Sequence, residues 1–387
     1  MPTLLTPAEA AALAQGVYDV RNNDLARALQ IGRRQPGLGT TGLFDAAGGT
    51  RLVGTSGNAW SSANTGFGYV ASGVGAHSGE CLVAFRGTEF SSTQDWLSNI
   101  NMPLTPSAGG HPVHQGFMGV YSSLAVSMRE RVMATRPTCV HIVGHSLGGA
   151  IASLAADDLI LRGLPVKLYT FGAPRVGLSA FARHLSDALG SDGLFRVSHV
   201  NDPVPMLPVF PFLHAPVDGV GILLRGPGER ITVDAHDMTA YIASLGNVGW
   251  SAQPIVRADF TSLEAAEAWL RASASGGNGI HTLSAGSLWL AVAALRRILN
   301  ATGRILGIEV LGAATAVDRI SAILHAGVQA VQAIAEAVGD FVRVVMRVAG
   351  LVAETAVDLT RAFLGWILRM MFNMIAGFAR RAVDRLV

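Results

Sequence analysis

Lysine is nearly missing from this chain. Lys167 is the only one, cysteine occurs twice, and charged residues fill only 14% of the 387 positions. Bases and acids almost cancel, leaving a formal net charge of +2. That balance gives no sign of a nucleic-acid partner. Two cysteines exclude a disulfide-built scaffold. Cys81 and Cys139 each open an apolar run, so packed thiols are expected, with a disulfide as the alternative if the two strands are neighbours. The 45 glycines form no phosphate-loop pattern. The first residues lack a basic segment and carry an early acid, Glu9, so no secretory signal is read there. The expectation is cytoplasmic synthesis and residence, with membrane association or a leaderless export route as alternatives. Thr6-x-x-Glu9, with Pro7 between, reads instead as the capping box of a helix reaching about residue 21.

Apolar residues are abundant: they make up 50% of the chain, and mean hydropathy is +0.39. This is high for a soluble enzyme and points to a lipid-facing surface or extensive helix packing. Residues 37–57 are rich in glycine and read as loops. Strand-like runs follow at 66–71, 81–85, 140–143, 166–171 and 194–199. Helical patterns lie at 117–135, 147–162 and 179–189, and Ser92-x-x-Asp95 caps a short one over 91–100. The alternation predicts an α/β fold with a mainly parallel sheet covered on both faces. Runs at 219–224 and 230–233 flank Gly226-Pro227-Gly228 and suggest an antiparallel hairpin.

The most informative segment is Val140-His141-Ile142-Val143-Gly144-His145-Ser146-Leu147-Gly148-Gly149-Ala150. A β-branched run enters Gly-x-Ser-x-Gly, and a small-residue helix leaves it. That context makes Ser146 the nucleophile of a strained strand-to-helix turn, its hydroxyl raised above the sheet. A serine needs a base and a group that orients the base. Asp202, in Val200-Asn201-Asp202-Pro203, stands just past a predicted buried strand and is the candidate acid. His236, where a loop becomes a helix, is the favoured base. His214 lies only 12 residues past Asp202 and reads as a pocket or hydrogen-bonding residue. Two amides must also face the developing oxyanion. Leu147, after the nucleophile, supplies one, and Thr88, after the run Cys81-Leu82-Val83-Ala84-Phe85, is the candidate for the other. No cofactor is called for. His111 and His114 are spaced for a metal, but Pro112 argues against a helix there and no metal site is expected.

Taken together, Phe85-Arg86-Gly87-Thr88, Asp95-Trp96, Val113-His114-x-Gly116-Phe117, the Ser146 segment, Tyr169-Thr170-Phe171-Gly172-Ala173-Pro174-Arg175 and Val200-Asn201-Asp202-Pro203-Val204-Pro205 resemble the class 3 lipases. The resemblance spans roughly residues 8–245. It implies an α/β-hydrolase fold, a triad of Ser146, Asp202 and His236, an oxyanion hole of Thr88 and Leu147, and a lid over 90–100 centred on Trp96. The chain departs from the fungal members in its short step from Asp202 to His236 and in its lack of a signal peptide and disulfides. It also departs in carrying a helical tail.

That tail, residues 281–387, has no proline and carries eleven arginines against seven acids. The expected organisation is a hydrolase domain over 1–271, a linker over 272–280 and a helical domain over 281–387. Leu324, Val331, Val338, Val345, Val352, Leu359 and Trp366 repeat every seven residues. An unbroken helix from 324 to 366 would be roughly 65 Å long. It must therefore break, near Gly339 or Gly350, or pack on other chains. Three readings stand: a self-packed bundle, contact with a membrane surface, or helix-mediated oligomerisation. Arg369 within 362–379 argues against a span. The sequence thus points to a serine carboxylic ester hydrolase whose partner is a lipid ester. The alternatives are a non-enzymatic lipase-like scaffold and a membrane-active protein that works through its tail.

Overall fold

The computed structural model describes residues 3–18, 42–45, 49–58, 61–87, 103–209, 211–217, 221–228, 230–256, 262–275, 285–307, 316–352 and 359–385. Helix α1 (Pro7–Gly16) starts with the expected capping box: Glu9 N–H donates to Thr6 Oγ1 at 3.2 Å and Thr6 N–H to Glu9 Oε2 at 2.8 Å. The chain continues through strands β1 (Thr50–Asn58), β2 (Ser61–Ser72), β3 (Cys81–Phe85), β4 (Leu104–Pro106) and β5 (Pro112–His114), then helix α2 (Gln115–Thr135). Next come β6 (Val140–His145), α3 (Leu147–Leu161), β7 (Val166–Phe171), α4 (Ser179–Leu189) and β8 (Leu194–His199). Then follow β9 (Ile222–Leu224) and α5 (Met238–Leu245).

The sheet order is β1-β2-β3-β6-β7-β8-β9. The first two pairings are antiparallel and the rest parallel. Every residue of β3, β6 and β8 is buried. That is why β3 reads as a continuous apolar run rather than an alternating one, while β6 and β8 also bury polar side chains such as His141, Arg196 and Ser198. One face of the sheet packs on α1 and α5 through Leu13, Tyr69, Tyr169, Phe171 and Tyr241. The other packs on α2, α3 and α4, and its core runs on into the C-terminal helices.

Residues 50–58, expected as loop, form β1. Its glycine, serine and threonine content hides a strand whose pairing comes from backbone bonds to β2. The expected hairpin over 219–233 is also corrected. Ile222–Leu224 pairs parallel with β8, and Val233–His236 is a 3-10 turn. The helix expected over 91–100 lies outside the described residues. Cys81 sits opposite Val140 on adjacent strands, yet both thiols are free. Burial pushes them up to about 12 for Cys81 and about 11 for Cys139.

Helix α6 (Leu263–Ala274) precedes the tail, and the tail's described residues are helical, as expected: α7 (Ala285–Leu306), α8 (Ala316–Ala330), α9 (Gln332–Val348) and α10 (Arg361–Asp384). Helix α6 runs into the first residues of the expected linker, and residues 276–284 lie outside the described ones. The seven-residue register does not persist in one rod. Val331 is extended (φ −144°, ψ 124°), and Gly350 ends α9 with φ 75°. Gly339 stays inside α9. Beyond the break Val352 is 88% exposed, so the apolar row is lost there. One helix, Arg361–Asp384, has the length and hydropathy to cross a membrane, and half of its apolar window is buried.

Several histidines are held neutral inside the fold, which sets an acid limit on stability. Burial pushes His114 down to about 4, and its Nδ1 accepts the Gly116 N–H at 3.0 Å. Burial likewise lowers His141, His145, His199 and His214. In this window the unfolded chain binds more protons than the folded one, so the contribution is complete above about pH 6.5 and shrinks as pH falls toward 4. His114 alone accounts for roughly 3 kcal/mol of it. We expect the urea midpoint to fall steeply between pH 7 and 4.5, and a flat midpoint would contradict this.

Candidate active site

Strand β6 ends at His145 and helix α3 begins at Leu147, leaving one residue for the turn. That residue, Ser146, has φ 57° and ψ −132°, a conformation costly for any side chain. The geometry needs glycine on both sides. A methyl at Gly144 would overlap the Gly148 carbonyl, and one at Gly148 would overlap that of Phe85.

The structure brings Ser146, His236 and Asp202 together from three places in the sequence. Ser146 Oγ lies 2.9 Å from His236 Nε2, and His236 Nδ1 lies 2.8 Å from Asp202 Oδ2. All three residues are fully buried. Asp202 is fixed by two further donors: the Val204 amide to Oδ1 at 2.9 Å and the Tyr241 hydroxyl to Oδ2 at 2.6 Å. With Nδ1–H committed to a carboxylate, His236 presents Nε2 as an acceptor to the serine hydroxyl. The serine can therefore lose its proton to the imidazole as its oxygen attacks. Gly172, at φ 56°, lets the chain pass over this pair. An added Cβ there would lie 2.9 Å from Asp202 Oδ2 and 3.0 Å from His236 Nδ1.

Leu147 heads α3, where first-turn amides have no partner within the helix. Thr88 and the expected lid over 90–100 lie outside the described residues, and Gly87 is the last one before them. His214 is not at the triad. Its Nε2–H donates to the Pro205 carbonyl at 2.8 Å, and burial with nearby arginines holds it well below the usual histidine range.

The support around the triad escapes a reading of the sequence. His145 Nε2 lies 2.8 Å from the His236 carbonyl, and its Nδ1 accepts the Tyr18 hydroxyl at 2.6 Å. That hydroxyl in turn accepts the Gly87 amide at 3.3 Å. The His199 ring stacks on Tyr241 at 3.9 Å, and its Nδ1–H donates to the Ala235 carbonyl at 2.7 Å. Burial, then the Asp202 charge, pushes the Tyr241 phenol well above its ordinary value, so it stays a donor. Only adjacency hinted at these residues: His145 directly precedes Ser146, and Tyr241 sits five places past His236. Tyr241→Phe is expected to lower ester turnover about tenfold and stability by about 1–2 kcal/mol. Paired kinetic and urea measurements on the variant check both.

At the opposite end of the strands, His77, Glu80 and His141 bring three potential metal-ligand atoms within 4.8 Å. Glu80 Oε2 already accepts from both imidazoles, at 2.6 and 2.9 Å, and Oε1 accepts the Thr3 amide at 3.0 Å. The cluster's hydrogen bonding is therefore complete without an ion, and it ties the N-terminal segment to β6. His111 and His114 do not converge: one ring packs on His184, the other on Phe117.

The class 3 lipase family model matches residues 82–212. A secreted mono- and diacylglycerol lipase 1 of Fusarium solani is 38% identical over 143 residues, covering 35% of this chain and 42% of that protein. Phospholipase A1-II 3 of Oryza sativa subsp. indica is 32% identical over 194 residues, covering 40% of this chain and 46% of its own. The chain thus spans under half the length of these curated relatives. Among solved structures, the lipase from Rhizopus microsporus var. chinensis is 26% identical, with 57% of this chain and 72% of that one covered and a TM-score of 0.40. The Fusarium protein and a Penicillium cyclopium relative are both named as secreted. That finding overturns the cytoplasmic residence expected above. The capping box behind that expectation describes how residues 6–16 fold and carries no address. The segment bearing β3, the Ser146 turn and Asp202, residues 82–212, belongs to the class 3 lipase family.

Proposed function

We propose that this chain is a serine carboxylic ester hydrolase acting on lipids, of the lipase or phospholipase A type. The observation that carries the reading is the continuous line Ser146 Oγ, His236 Nε2, His236 Nδ1, Asp202 Oδ2 at a strained turn. In this reading Ser146 Oγ attacks the ester carbonyl while His236 takes its proton. The amides of Leu147 and Thr88 hold the oxyanion. The tetrahedral intermediate collapses, His236 gives the proton to the departing alcohol, and an acyl-serine remains. Water, deprotonated by the same imidazole, then releases the carboxylic acid and restores Ser146. Asp202 keeps Nδ1 protonated and stabilises the imidazolium.

The wider organisation belongs to the same proposal: a hydrolase domain over 1–271, a linker over 272–280 and a helical part over 281–387. Helix α10 packs on the turn carrying His236, and Arg385 pairs with Asp234 of that turn. The tilted rings of Phe363 and Trp366 lie 5.5 Å apart with Trp366 46% exposed, a feature suited to a lipid surface. The secreted relatives support action outside the producing cell. The test is digestion of mixed glycerolipids by the full chain, with products read by mass spectrometry. Free fatty acid is expected, with diacylglycerol or lysophospholipid beside it according to the substrate taken. No products beyond a Ser146→Ala control would overturn the reading and favour the non-enzymatic scaffold.

A further inference from the structure

Strand β8 ends at His199, three residues before Asp202, and this histidine is fully buried. The reaction drawn above leaves its side chain without a role. Its backbone meets the acid from two sides. The His199 carbonyl accepts the Asp202 amide at 3.2 Å. The His199 N–H donates at 3.1 Å to the Tyr241 hydroxyl, which itself donates to Asp202 Oδ2 at 2.6 Å. The side chain reaches toward the base. Its Nδ1 lies 2.7 Å from the carbonyl of Ala235, the residue before His236. A carbonyl accepts and never donates, so Nδ1 carries the proton and Nε2 is an acceptor. The Ser244 hydroxyl, 2.6 Å away, donates to Nε2. Burial lowers His199 from the usual histidine range, which keeps the ring neutral in this tautomer. The ring lies flat on the Tyr241 phenol, with centroids 3.9 Å apart and 4° between the planes.

The acid and the base both depend on short 3-10 turns, one beginning two residues past Asp202 and one ending at His236. Such turns have no long run of backbone bonds to hold their angle, so side chains must hold it. We propose that His199 is a positioning residue: its imidazole ties the His236 turn to the Asp202–Tyr241 pair and so sets the contact between His236 Nδ1 and Asp202 Oδ2. Loss of the Nδ1–H would deprive the carbonyl of Ala235, a fully buried residue, of that donor. The turn would then shift toward another partner, and a misplacement of about 1 Å at a catalytic group can cost about a hundredfold in rate. The role rests on the hydrolase reading, while the contacts do not.

Three replacements separate the parts of the ring. Asn puts an N–H where Nδ1 stands, Gln puts its amide out at Nε2, and Phe keeps a flat ring with neither nitrogen. The full chain carrying each is assayed on p-nitrophenyl butyrate and melted in parallel. His199→Gln and His199→Phe are expected to lower kcat about ten- to a hundredfold, with KM within about twofold. His199→Asn should keep kcat within about fivefold of wild type, although it loses as much thermal stability as His199→Gln. A role in stability alone would not set Asn above Gln, since both lose the stacked ring. The proton of the His236–Asp202 hydrogen bond, read far downfield by proton NMR, is the second measurement and needs no turnover. It should keep its position in His199→Asn and move or vanish in His199→Gln, which also serves if His199→Phe does not fold. Wild-type kcat in folded His199→Gln, equal losses in the Asn and Gln variants, or a raised KM with kcat unchanged would each overturn the proposal. No ester turnover by wild type, with the downfield proton present there and lost in His199→Gln, would overturn the hydrolase reading alone.

Discussion

Ser146→Ala is expected to lower ester hydrolysis by several orders of magnitude while leaving the fold in place. Ser146 Oγ touches His236 Nε2 and, among the described residues, is the hydroxyl set against that nitrogen. Removing it deletes the nucleophile but leaves the backbone of the turn, whose strain any residue with a Cβ shares. In the serine-protease template only about 10³–10⁴-fold catalysis over water survives loss of a triad member, carried by the oxyanion hole and binding. A p-nitrophenyl ester assay on purified variant and wild type reads the loss, and a thermal melt beside it reads the fold. The melt should shift little, because the buried hydroxyl gives up one neutral hydrogen bond and no packed methylene. Near wild-type turnover in a folded Ser146→Ala protein would falsify the assignment of the nucleophile.

The parts of this site legible in sequence are those whose geometry is local. The turn at Ser146 needs Gly144 and Gly148 at fixed offsets because strand and helix nearly touch there. Asp202 was legible because a buried strand, β8, ends three residues before it, placing it at the carboxyl edge of the sheet. His236 was legible only as a preference over His214, since 34 residues separate it from Asp202 and nothing in that stretch marks a base. Tyr18, whose hydroxyl meets His145 across 127 positions, left no local trace at all.

The misread elements follow the same division. Gly226-Pro227-Gly228 has the composition of a hairpin turn, but β9 finds its partner in β8, more than twenty residues back. β1 is held by the backbone of β2 rather than by a side-chain pattern. In the tail the seven-residue row was legible, and its members Leu324 in α8 and Val338 and Val345 in α9 are buried on either side of a break. Its breaks at Val331 and Gly350 arise because successive helices must turn back on α6 and on each other to cover their apolar faces.

His236→Ala is expected to be as damaging as Ser146→Ala, and the double variant little worse than either. Among the described residues His236 is the imidazole that links Ser146 to Asp202: Nε2 faces the hydroxyl at 2.9 Å and Nδ1 the carboxylate at 2.8 Å. Without it the serine proton has no acceptor and the Asp202 charge has nothing to orient. Groups that act as one unit lose their effect together, so the two losses should not add: single removals in such a triad cost nearly what full removal costs, about 10⁶-fold in the subtilisin example. The neighbouring His145 cannot take over. Its Nδ1 is held by Tyr18, its Nε2 by the His236 carbonyl, and burial keeps it well below the usual histidine range. His214→Ala gives the contrast. It removes a bond to the Pro205 carbonyl and should cost stability, with turnover near wild type. The four proteins, assayed on one short ester and melted in parallel, decide the base. If His214→Ala is inactive though folded while His236→Ala keeps its rate, the triad drawn here is wrong.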